Sequence, residues 1–298
     1  MTDKYSIKFE VKFKKPVKVW VLQVSGCSLI QFTNVGILMV DRNITSALAK
    51  LTEHPNRTDM DVERWWLNHL NSESYVLNPV LCAIEGRTRS SPSYTEFCDE
   101  LNAAKGILAS GLPKARLIEH TPHYFDSVYE IVRNTAERQR RESAFLVDIC
   151  PSLASRLKPT AASNFEKILL NKALDRALSL HSFVVLAALS CLYEPQGGEE
   201  PKIGRGVLKP HPKYSESDAH NALADIRSLE FLAAANGLPA SSSGFCTRDK
   251  YLAAFWTYLG VNNPTLSGSN FLAGLQPSPK LFPRLDDVGY RGLMTRLL

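Results

Sequence analysis

No run of this sequence is apolar for long enough to cross a bilayer. The longest, Ser182 to Tyr193, covers twelve residues, against the ~20 that a transmembrane helix needs. The opening segment, MTDKYSIKFEVKFKK, alternates charged and apolar residues and lacks the apolar centre of a signal peptide. No pair among the six cysteines (27, 82, 98, 150, 191 and 246) has CxxC spacing, and the histidines have no metal-ligand spacing. A zinc site is therefore not expected. Most of the cysteines sit among apolar residues, which reads as reduced, buried thiols in a cytoplasmic protein with no membrane partner. There is no internal repeat. Neither sign of charge is in large surplus: 35 Lys and Arg against 30 Asp and Glu leave +5. That permits a nucleic-acid partner without demanding one. A chain of 298 residues, 44% hydrophobic and 22% charged, is neither disordered nor collagen nor coiled coil and can bury a core without staples.

What is present is a set of alternating strand and helix signals. Residues 5–13 and 17–23 alternate at period two and predict strands. Residues 35–40 (VGILMV) form an apolar run of the kind found in a strand buried on both faces. Helical periods are expected at 45–53, 61–70, from Asn78-Pro79 onward, 94–110, 122–142, 165–193, 216–236 and 250–259. Residues 144–150 predict a strand or a buried turn, 194–212 a loop, 244–249 a short strand, and the tail from 260 more loop. This order predicts an α/β, three-layer fold around a mostly parallel central sheet. One domain over 1–298 is expected, with an N-terminal strand extension over 1–30 and a helical insertion over 110–212.

Four acids stand in telling places. Asp41 ends the 35–40 run, at the strand edge where parallel α/β sheets bind ligands. Asn43 is placed to orient it. Glu85 follows the apolar stretch Pro79–Ile84, with Arg87 and Arg89 close behind. Asp225 interrupts a helix that otherwise reads as buried, and Asp218 shares its face. Asp249 ends the Phe245-Cys246-Thr247-Arg248 strand, where Thr247 can cap the next helix. Taken singly, each has a bland reading as a helix-cap or surface acid. Converging carboxylates repel one another unless cations join them. Mg²⁺ or Mn²⁺ suits such oxygen donors, and phosphodiester hydrolysis is the chemistry the set supports.

These residues resemble the PIN-like nuclease superfamily. The matching features are Val40-Asp41-Arg42-Asn43 after an apolar strand, an acid on an early helix (Glu85, with Glu63 as the other choice), and Asp225 on a late helix that leads to Gly237-Leu238-Pro239 and then Thr247-Arg248-Asp249. The resemblance covers about half the chain. It implies a metal-dependent endoribonuclease with Asp41, Glu85, Asp225 and Asp249 at the centre, Asp218 assisting, and Mg²⁺ or Mn²⁺ as cofactor. RNA is a more fitting substrate than DNA. Arg42, Arg87, Arg89 and Arg248 are candidate phosphate contacts, as are the arginine cluster 133–141, Lys209 and Lys213. A second copy of the chain or another protein stays open as a partner. His220-x4-Asp225 also resembles the motif of DEDD-type 3′–5′ exonucleases, with His220 as general base. A third reading is a PIN-like module with a dead site that binds RNA or a partner.

Overall fold

A computed structural model describes residues 19–24, 26–33, 35–54, 61–85, 91–195, 201–238, 242–267 and 270–297. The strand expected at 5–13 lies outside them, as do Arg87 and Arg89. Strand β1 (Trp20–Gln23) is the described part of the one expected at 17–23. β2 (Gly26–Leu29) turns back on it as a hairpin. The apolar run forms β3 (Ile37–Val40). β4 (Val76–Asn78), β5 (Arg116–Leu117) and β6 (Ser243–Thr247) complete a six-stranded sheet of order β2-β1-β6-β3-β4-β5. β6, β3, β4 and β5 run parallel, and β1 and β2 are antiparallel.

Helices cover both faces of this sheet because every inner strand is apolar on both sides. The pleat sends alternate residues to opposite faces. Leu22, Met39 and Phe245 join one core, while Val21, Leu38, Val40, Leu77 and Cys246 join the other. The smaller core lies against α1 (Arg42–Glu53) and α2 (Asp61–Leu70), whose Trp66 is fully buried. The larger contains α3 (Val80–Glu85), α4 (Tyr94–Gly111), α5 (Pro122–Leu153), α6 (Pro159–Asp175), α7 (Phe183–Leu192), α8 (Ile203–Leu208), α9 (Glu216–Asn236) and α10 (Lys250–Leu259). The expected α/β layering with a mostly parallel sheet is present.

Four stretches differ from expectation. Residues 144–150 are neither strand nor turn but continue α5. Phe145, Leu146, Ile149, Cys150 and Leu153 are buried at helical spacing, and the arginines before them do not end the helix. The stretch 165–193 is two helices, broken near Ala177, whose φ is 49°. Within the expected loop 194–212, α8 forms because its glycines allow close approach. A Cβ on Gly204 would stand 2.3 Å from the Cys191 backbone nitrogen of α7, and one on Gly206 would stand 2.1 Å from the Tyr251 ring of α10. The tail holds a hairpin, β7 (Val261–Ser267) with β8 (Asn270–Leu275), and then α11 (Asp287–Leu297). Arg296 of α11 reaches back 2.5 Å to the buried carboxylate of Glu166 on α6, which also accepts the Tyr193 hydroxyl. Among the described residues, no helix is long and apolar enough to cross a membrane. All six cysteines are free thiols.

Candidate carboxylate site at the sheet edge

The chain leaves β3 towards β4 on one side and meets β6 on the other, so the β3/β6 boundary is a switch point of the sheet, where α/β folds bind ligands. Val40 stands level with Cys246 across that boundary. Asp41 and Asp249 therefore follow neighbouring parallel strands at the same edge. Each is the N-cap of the helix that leaves its strand. Asp41 Oδ1 accepts the Ile44 N–H at 3.2 Å and its Oδ2 accepts the Asn43 amide at 3.3 Å. Asp249 Oδ1 accepts the N–H groups of Tyr251 and Leu252 at 2.7 and 3.1 Å. The Thr247 hydroxyl accepts the Asp249 N–H at 3.1 Å, so Thr247 takes the supporting place expected of it.

Asp225 reaches the same neighbourhood from α9. Its carboxyl is pushed up from 3.8 to about 7, first by burial and then by the charges of Asp249, Asp41 and Glu85, while Lys209 opposes the shift. Asp41 is pushed up to about 6 by burial, with Glu85 adding to it and the Ile44 and Asn43 bonds opposing. Glu85 is likewise raised, by burial and by Glu100, against the pull of Arg42. The four expected acids thus share one electrostatic environment, although they come from β3, α3, α9 and β6. Among the described residues, no three His, Cys, Asp or Glu side chains are arranged so that they could hold a metal ion as they stand.

Other expected residues have different work. Asp218 closes the capping box of α9 with Ser215 and pairs with His211 at 3.2 Å, two helical turns from Asp225. His220 lies five residues from Asp225, about 140° round the helix, and lines a cavity of about 690 Å³ between α5 and α9. Arg42 turns inward: it bonds Glu100 at 3.1 Å and the Cys82 carbonyl at 3.0 Å, and lies 3.7 Å from Glu85. Arg248 pairs with Glu63 at 2.8 Å and lies over Trp66. In the α5 cluster, Arg133 and Arg140 pair with Glu130 and Glu137 one turn away.

Sequence reasoning missed three residues on this edge. Asn78, read only as a helix cap, does accept the Val80 N–H at 3.1 Å, but its amide also donates to the Tyr124 hydroxyl at 3.0 Å. His120, beyond β5, stands 3.4 Å from the same Asn78 oxygen. Burial lowers it to about 4, so the ring is neutral. The signal that marks them is position at a strand's C-terminal end, which becomes visible once β5 is known. Lys209 ends α8 in the left-handed conformation, with φ 51° and ψ 49°, and places its charge towards Asp225. Comparison with models of known protein families finds no match, and no curated protein or solved structure matches this chain.

Proposed function

We propose that this chain is a divalent-cation-dependent phosphodiesterase that cleaves nucleic acid, RNA in preference to DNA, as an endoribonuclease of PIN-like type. One observation carries the reading: Asp225 is held up to about 7 partly by three other acids from separate elements of one sheet edge. Gathering four acids costs stability whenever they ionise, and a cation among them offsets that cost. The donor set is carboxylate oxygen, which suits Mg²⁺ or Mn²⁺. Asp41, Glu85, Asp225 and Asp249 would hold the ion. Asp249 keeps Oδ2 clear of its two helix bonds, while Glu85 would have to turn from Arg42. When bound, such an ion lowers the pKa of an attacking water and offsets charge on a phosphodiester.

The protein's own part is orientation. The α1 and α10 caps fix Asp41 and Asp249, and Asn43 holds the second Asp41 oxygen. Lys209 brings positive charge to a site that must accept a phosphate. A second reading, a module that binds nucleic acid without cutting it, is favoured by the Arg42–Glu85 pair and by the lack of a ready-made metal group among the described residues. Labelled RNA and single-stranded DNA, incubated with Mn²⁺ with and without EDTA, separate the readings for wild type and Asp41→Asn. Cleavage that needs Mn²⁺ and Asp41 supports the nuclease. Cleavage that survives both EDTA and the substitution overturns it. RNA binding without cleavage supports the second reading.

A further inference from the structure

Away from the carboxylate edge, a cavity of about 570 Å³ opens between the middle of α5, the second half of α9, the turn before α7, and β8. Its polar wall carries Arg138, Arg141, His181, Ser179 and Ser182. Ser182 is also the N-cap of the ten-residue α7, whose first turn holds no acidic residue to meet its positive end. The opposite wall is apolar, with Leu178, Phe183 and Leu275.

Two acids line the cavity, and they do not balance the cations. Glu230 is taken by Arg138. Glu142 is buried, and burial together with Glu230 raises it to about 8, so it keeps its proton at neutral pH. Arg227, buried beside this pair, adds a third guanidinium that acts on both glutamates. Three guanidinium groups thus face one ionised carboxylate. The Nε atoms of Arg138, Arg141 and Arg227 are all buried without a hydrogen-bond partner among the described residues. Buried N–H donors without partners are costly, and a guanidinium fork fits the oxygens of a phosphate.

We propose that this cavity is a binding site for a small phosphate monoester with an apolar or aromatic body, the phosphate held by Arg138, Arg141 and the N-terminus of α7 and the body against Phe183, Leu178 and Leu275. The volume is within the range of small-molecule sites, roughly 300–1,000 Å³. The proposal does not depend on the reading of the carboxylate edge, since the two sites share no residue.

Isothermal titration calorimetry of the full chain with phenyl phosphate tests it, with inorganic phosphate as the probe that lacks the body. Wild type and Asp41→Asn should bind phenyl phosphate alike, and more tightly than inorganic phosphate. Arg141→Gln should weaken phenyl phosphate at least about tenfold, roughly one charge-assisted hydrogen bond's worth. Ala273→Glu, which puts a carboxylate on the hairpin at the cavity wall, should weaken it as well and checks the site independently of the folding of the arginine variant. The proposal is overturned if wild type does not bind phenyl phosphate, if Ala273→Glu binds it as wild type does, or if Asp41→Asn abolishes binding.

Discussion

Replacing Asp225 with asparagine should stabilise the cation-free protein in alkali and leave it nearly unchanged in acid. The folded carboxyl titrates at about 7 rather than 3.8, because it is buried and faces Asp249, Asp41 and Glu85. The folded state therefore keeps a proton that the unfolded chain has already lost. Stability must fall as pH rises from about 4 to the folded pKa, and level off above it. Each unit is worth about 1.4 kcal/mol. From near pH 5 to about pH 8.5 the wild type crosses roughly two such units, or about 3 kcal/mol at full value. Asp225 is half-buried, and solvent screening reduces this to about 1.5 kcal/mol. For a chain of this size that is roughly 3–6 °C in Tm. Asp41 adds a slope of the same sign, but it is present in both proteins. Thermal unfolding of wild type and Asp225→Asn across this pH range, in EDTA, reads the difference directly. Millimolar Mn²⁺ should flatten the wild-type slope by stabilising the ionised carboxylates. Parallel curves for the two proteins in EDTA would refute the reasoning, for the acids would then not be sharing a site.

Gly204→Ala should cost about 2–3 kcal/mol, since its Cβ would meet backbone atoms of α7 at 2.3 and 2.5 Å; urea unfolding at equilibrium measures it. Arg205 grips the buried Glu194 through two bonds of 2.7 and 3.1 Å and also bonds the carbonyls of Leu153 and Ala154. Arg205→Met should lose about 3–5 kcal/mol by leaving that carboxylate uncompensated, and the loss should shrink when Glu194→Gln is added. Ser93→Ala removes the side chain that closes the capping box of α4 and should cost about 1 kcal/mol, seen as a lower urea midpoint with an unchanged slope.

The strands and helix starts were legible because their causes are local. Thr121-Pro122 begins α5 and Asn78-Pro79 precedes α3 in the way cap chemistry requires. The run over 35–40 became an inner strand because nothing polar interrupts it. Helix ends were less legible. Nothing local stops α5 at its arginines, and the apolar residues after them keep helical spacing because α9 and α7 cover them. α8 is illegible in a segment rich in Gly and Pro, since its stability comes from contact with α7 and α10 rather than from propensity.

For the carboxylate edge, the sequence alone determined that Asp41 and Asp249 stand at strand ends, because each directly follows an apolar run and caps a helix. Only tertiary structure decided which other acids join them. Asp225 and Asp218 lie on one helix and looked equivalent, yet one faces the sheet edge and the other closes a cap. Arg42 looked free for a phosphate, yet it is bound to Glu100, 58 residues away. Burial, ion pairing and the crowding of like charges depend on groups far apart in the chain, and periodicity and caps carry no record of them.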